Sequence, residues 1–308
     1  EVVRHYNSRL GHTERRGIHL GPGWRLSYDT RLYSARHNLQ ILQADGSRII
    51  FARNPTEPDR CASLDPARGQ VLISRKAHGE QYVWHWPDGR RLFFDGHGLL
   101  TQILAPSGEF VALQRDPAGR LVSVTDPQGR TLHFGYTDDL RTIAHIDTPL
   151  GRIAYTYDEA GKLTKVTLPT GYDPAAQPHP YSGRGTTTST LAREYHYEDE
   201  HSPALLTGIT VSGSGTDGEL VHQRIASWAY DQEARAIRSV RGPMPPPGEH
   251  GTEDLTLDFS TPGRTVLTNS LGQTSTYITE LIGSERRIIE ARGPGCATCP
   301  PTNVRYRY

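Results

Sequence analysis

The chain has 308 residues with 34 Lys+Arg against 34 Asp+Glu, so its formal net charge of zero gives no global electrostatic footprint for nucleic acid. Hydrophobic residues make up only 35% while Gly numbers 31 and Pro 22, a composition poor for a closed enzyme core and suited to many short strands joined by turns. No run approaches the ~20 apolar residues of a membrane helix, and no targeting signal is expected within this segment.

In chain order, residues 1–92 are predicted to be a β-rich, non-repeating cap, with a surface loop from Pro55 to Asp65. Within it, Trp84-His85-Trp86 has two readings. Alternating aromatics on an exposed strand stack on sugar rings; packed on one sheet face, with His85 turned outward, they are core, and the packing reading is preferred.

From residue 93 to 170 a phrase returns at a fixed interval. Phe94-Asp95-Gly96-His97-Gly98-Leu99-Leu100 is echoed by Arg115-Asp116-Pro117-Ala118-Gly119-Arg120-Leu121, in degraded form around Tyr136-Thr137, and by Tyr157-Asp158-Glu159-Ala160-Gly161-Lys162-Leu163. The anchors 95, 116, 137 and 158 are 21 residues apart, the mark of a repeat architecture. A second set of turns, with Gly108, Gly129 and Gly151, keeps the same rhythm. Asp and Pro favour the first positions of a type I turn, and Gly closes it with positive φ. Between turns, Leu132, Phe134 and Tyr136 alternate with Thr131, His133 and Gly135, and Ile153, Tyr155 and Tyr157 alternate likewise, so each unit is a hairpin that must pair with the next. The turn aspartates are read as caps and the tyrosines as sheet packing.

Residues 171–308 are predicted to hold degenerate repeats with long insertions: Gly171 to Ser189, Ser212 to Gly218, and Gly242 to Gly251. Arg193 to Glu200 is charged enough to suggest a helix, yet Tyr195 and Tyr197 alternate as in a strand. Thr268 to Tyr277 restores the second turn pattern. The chain lacks an initiator Met and ends where another Tyr-Asp phrase should begin, so a segment of a longer protein is expected.

Chemical motifs are few. Cys296-x-x-Cys299 leaves open a local disulfide, free thiols or half a zinc site; the other two zinc ligands have no second Cys-x-x-Cys to supply them, and the proline-flanked sequence lacks the strand-to-helix setting of a redox pair. Cys61, in a loop, is left over as a free thiol. His5, His12 and His19 are spaced by sevens without a helical face to share. No phosphate-cradling loop and no nucleophile elbow occurs. Neither catalytic, metal nor cofactor residues are assigned, and no enzyme activity is expected.

Tyr157-Asp158-Glu159-Ala160-Gly161-Lys162-Leu163-Thr164 resembles the tyrosine–aspartate (YD) repeat of bacterial Rhs proteins and of the teneurin shell. His5-Tyr6-Asn7-Ser8-Arg9 and Leu20-Gly21-Pro22-Gly23-Trp24-Arg25-Leu26-Ser27-Tyr28 resemble the stretch that precedes the repeats in that family, as do Asp45-Gly46-Ser47-Arg48 and Trp86-Pro87-Asp88-Gly89-Arg90. Gly293-Pro294-Gly295-Cys296-Ala297-Thr298-Cys299-Pro300 resembles a phrase found between repeats.

The resemblance implies an all-β strip of consecutive antiparallel hairpins, spiralling into part of a cocoon around a C-terminal toxin domain. Its partners would be that toxin domain, the remaining shell repeats and, through regions outside this chain, secretion-system spike proteins. No nucleic acid and no membrane insertion is expected of this segment. The place implied is secreted or at the cell surface, after delivery by a bacterial secretion system. The family's Gly-Gly cleavage sequence has no counterpart here, so self-cleavage is not assigned. The alternative is an extracellular recognition module for carbohydrate or protein.

Overall fold

The computed structural model describes residues 2–8, 20–76, 79–169, 191–214, 219–282, 285–294 and 303–308. His12, His19, the loop from Gly171 to Ser189 and both Cys296 and Cys299 lie outside the described residues. The chain divides into two compact units, residues 1–190 and 191–308.

In the first unit every strand from Arg31–Ser34 to Leu163–Thr167 pairs antiparallel with its sequence neighbour. The fold is therefore the consecutive-hairpin strip expected from the turn spacing. The same sheet already begins at Arg31, well before the regular phrase. Arg60–Ala62 forms a short strand where the sequence suggests only loop, because Cys61 is apolar enough to be drawn into the core beside Val71.

The strip curls back on its own start. Leu32 N–H donates to the Gly98 carbonyl at 2.9 Å, and Arg31 bridges Leu99. Gly98 has φ 73°, and a Cβ there would overlap the Leu32 carbonyl oxygen. The strand Arg31–Ser34 thus closes against the turn that joins Arg91–Phe94 to Leu100–Leu104. Phe51, Trp84, Phe94 and Leu100 are all fully buried in this unit.

In the second unit the strands from Ala192–His196 to Asn303–Arg305 likewise pair each with the next. Arg193 to Glu200 begins as a strand with Tyr195 buried, as its alternation predicts. Asn269 to Gln273 is a turn closed by the Asn269 amide on the Gln273 carbonyl at 3.0 Å.

Candidate functional site at the Tyr–Asp turns

Each Tyr–Asp turn is built by its aspartate. The Asp116 carboxylate accepts the N–H groups of Ala118 and Arg120, both at 2.9 Å, and the Arg120 Nε–H at 2.6 Å. Gly119, at φ 83°, donates to the Asp116 carbonyl at 2.9 Å. Asp95 and Asp231 cap their turns in the same way. Asp126 does so in the alternate row of turns. Burial works against ionisation at Asp116, Asp126 and Asp231, and in each case the arginine four residues on outweighs it and holds the carboxyl below its ordinary range. The degraded copy at 137 is one residue longer: Leu140 takes φ 58° in place of glycine, and the Thr137 hydroxyl accepts the Thr142 N–H at 3.3 Å in place of a carboxylate.

A β-bulge follows every Tyr–Asp turn. The register shifts after Leu100, Leu121, Ile143, Leu163 and Ala236, whereas the alternate turns at 104–110, 125–131 and 148–151 keep an even ladder. In residues 1–190 one edge of the strip therefore carries an extra residue per repeat. Bulges bend a strand and raise its twist, so inserting them along a single edge curls the strip. They also change which residues face the core: Leu121 and Val124, Ile143 and Ile146, and Leu163 and Val166 are buried in pairs three apart rather than two.

The bulge has a second effect, and the repeat tyrosine answers it. Pairing with the next hairpin stops at Ser123↔His133 and at His145↔Ala154, which leaves the Leu121 and Ile143 carbonyls beyond the ladder. Tyr136 Oη–H donates to Leu121 O at 3.0 Å and Tyr157 Oη–H to Ile143 O at 2.7 Å. Burial pushes both phenols well above their ordinary pKa. Tyr230 repeats the contact on Leu206 O at 2.7 Å. At position 115 an arginine stands in the tyrosine's place, and its Nε–H reaches Leu100 O at 3.3 Å. Removing one hydroxyl strands a buried carbonyl, so Tyr157→Phe is expected to lower stability by about 1–2 kcal/mol in urea titration. An unchanged midpoint would show the hydroxyl to be incidental.

The segment Gly21 to Arg31 crosses these turns. Gly21 packs on the Gly161 carbonyl, and Arg31 meets Leu99. Three steps of two strands each span about 29 Å at ~4.8 Å per strand, within reach of ten residues of near-extended chain. Trp24, Arg25 and Leu26 are buried there, and Leu26 N–H donates to the Asp29 carboxylate at 2.8 Å. Between the segment and the turns lies a cavity of about 1390 Å³ whose lining includes Arg25, Asp29, Arg31, Arg115, Arg120 and Arg141.

Trp84 is fully buried, donates Nε1–H to the Arg68 carbonyl at 2.8 Å, and stacks on Trp86 with centroids 4.4 Å apart. Cys61 is buried and free, and burial raises its thiol pKa. Among the described residues no group of three or more His, Cys, Asp and Glu is arranged to hold a metal ion. Among the described residues no helix is long and apolar enough to cross a membrane. The bulges and the crossing segment are absent from a reading based on strict alternation. The signal for the bulges is nevertheless present, as the Leu-x-x-Val or Ile-x-x-Ile spacing after each turn.

A family model for the RHS repeat matches residues 94–131 and 136–173, and a model for a domain of unknown function, DUF6531, matches residues 1–51. The chain is 29% identical over 115 residues to the double-stranded DNA deaminase toxin A of Burkholderia cenocepacia (strain H111), which covers 36% of this chain and 8% of that protein. Among solved structures, it is similar to a crystal structure of TcdB2–TccC3–TEV (TM-score 0.33, 11% identity, covering 89% of this chain and 17% of that one). It is similar too to a Photorhabdus luminescens Tc holotoxin pore with a mutated TccC3 (TM-score 0.29, 10% identity, covering 88% and 20%). The chain thus spans a fifth or less of the length of these relatives. The matched stretches coincide with the bulged Tyr–Asp hairpins and the segment that crosses them, and the chain carries RHS (YD) repeats at residues 94–131 and 136–173.

Proposed function

We propose that this chain is a section of a toxin-associated RHS shell that encloses an effector domain of the same polypeptide. The observation that carries this reading is the curl of the strip. In residues 1–190 the bulges fall along one edge only, and the strand Arg31–Ser34 is hydrogen-bonded onto the turn at Asp95–Leu99. A strip built this way has a wall-like geometry, and the described turns spend their aspartates on capping rather than on chemistry. A wall section performs no reaction: it excludes proteases and the producing cell's own contents from what it surrounds. The toxin named among its relatives supports an effector as the cargo, and delivery to another cell by a secretion system follows as the route.

The test is proteolysis of the effector in the complete protein, with and without residues 1–308. Loss of the segment is expected to shorten the effector's half-life at least ~10-fold, because cleavage tracks the exposed population. Equal half-lives would overturn the reading.

A further inference from the structure

We propose that the cavity beneath the crossing segment is a binding site for an acidic stretch of polypeptide, with a carboxylate held between Arg31 and Arg115. The cavity is formed by residues 21–161 alone, so the inference does not rest on the shell encloding any effector.

The charges lining it are unequally committed. Asp116 is taken up by Arg120, with a shortest contact of 2.6 Å, and Asp95 by the N–H groups of His97 and Leu99. Arg31 and Arg115 have no carboxylate within ion-pairing distance among the described residues. The Arg31 Nε is fully buried without a hydrogen-bond partner among them, and its guanidinium lies 5.5 Å from the Tyr33 ring centroid. Arg115 gives only two of its five N–H groups to described partners, the neutral carbonyls of Leu100 at 3.3 Å and Gly119 at 3.1 Å. A half-buried guanidinium that meets only neutral carbonyls keeps most of its desolvation cost uncompensated. Burial, with the nearby Arg31 adding to it, pulls Arg115 below the ordinary arginine value, while Asp29 acts the other way.

Position 115 sharpens the point. The repeats at 136 and 157 fill the same place with tyrosine and satisfy the equivalent carbonyl with a neutral hydroxyl. Arginine there is not needed for the hairpin, and what it adds is a charge with spare donors facing a cavity.

The chemistry of the lining selects the ligand. Guanidinium forks pair two N–H groups with one carboxylate. At about 1390 Å³ the cavity exceeds the ~300–1,000 Å³ of small-molecule pockets. Leu99, Leu113, Leu140 and Pro117 line it as well, so side chains flanking the carboxylate meet apolar surface. Three aspartates on the wall disfavour a polyphosphate chain. An extended peptide that alternates acidic and apolar residues fits these walls.

The probe is a fluorescein-labelled peptide of alternating Glu and Leu, titrated with this chain by fluorescence polarisation. A Gln/Leu peptide, inorganic phosphate and a labelled single-stranded oligonucleotide form the other arms. The Glu/Leu peptide is expected to bind at least ~10-fold more tightly than its Gln/Leu counterpart, the loss expected from removing one charge-assisted contact. Arg115→Tyr and Arg31→Met are each expected to erase that preference. Arg115→Tyr keeps the donor to the Leu100 carbonyl, so the fold persists, as an unchanged melting temperature verifies. Arg264→Gln, an exposed arginine in residues 191–308, removes the same charge and is expected to change nothing. Equal affinity for the Glu and Gln peptides overturns the proposal, as does an undiminished preference in Arg115→Tyr with the fold intact. Binding of phosphate without the peptide, or tighter binding of the oligonucleotide, overturns it in favour of a different ligand.

Discussion

Gly98→Ala is expected to be among the most damaging single substitutions in residues 1–190. Gly98 holds φ 73°, a left-handed conformation that costs a residue with a Cβ about 1–2 kcal/mol. The added methyl would also overlap the Leu32 carbonyl oxygen, which belongs to the backbone of the opposing strand and has no rotamer by which to move away. Relief requires parting the two segments, and that breaks the Leu32 N–H to Gly98 carbonyl bond. The summed loss expected is about 4 kcal/mol, at the upper end for one substitution. Gly108→Ala is the control: its φ is 90°, but no atom lies within 4 Å of the new methyl, so only the backbone term of about 1 kcal/mol remains. The two variants separate in urea midpoint. Hydrogen exchange at Leu32 supplies the local readout, accelerated in Gly98→Ala and unchanged in Gly108→Ala.

The second large effect lies in residues 191–308. Asp254 is a buried carboxylate that accepts Arg238 Nε–H at 3.0 Å, Arg238 Nη2–H at 2.6 Å and the Gly251 N–H at 2.9 Å. A bulge between the strands Ala236–Arg241 and Thr252–Asp258 turns it inward, beside Glu253 at φ 50°. Asp254→Ala leaves the mostly buried Arg238 guanidinium with the neutral Glu249 carbonyl at 2.7 Å in place of a carboxylate, and is expected to cost about 3 kcal/mol. The same pair sets a pH dependence. Hydrogen bonding from Arg238 holds the Asp254 carboxyl below its ordinary value, so its stabilising contribution is complete above the unfolded-state pKa of about 4 and is lost as pH falls through the lowered native value. The stability gap between the wild-type chain and Asp254→Asn, measured by urea titration, is therefore expected to be full at pH 7 and to shrink as pH drops below about 4. A gap that stays constant or widens on acidification would contradict this assignment.

Much of the architecture is legible in the sequence because turn chemistry is local. The Asp and Gly at positions such as 116 and 119 act on N–H groups within four residues, so their spacing alone announces the hairpins and their period. Bulges are less legible. Strict alternation places Leu121 and Ser123 on one face, and Ser123 is indeed buried, but Val124 joins them because an inserted residue resets the pleat. The Arg115 substitution reads in sequence as a lost tyrosine, although the arginine keeps the tyrosine's hydrogen bond in a different chemistry. The crossing segment is illegible for a different reason. Gly21 meets Gly161 across some 140 residues, and only the curl of the whole strip determines that encounter. The cavity inherits the same limit, since its arginines come from stretches as far apart as Arg25 and Arg141.

The most direct test joins the closure of the strip to protection of the proposed cargo. In the complete protein, the effector's half-life under protease is compared between wild type, Gly98→Ala and Gly108→Ala, with Leu32 exchange reporting whether the closure has opened. A curled wall requires the half-life to fall in Gly98→Ala and to stay near wild type in Gly108→Ala. An effector that stays equally protected while Leu32 exchanges freely would contradict the shell.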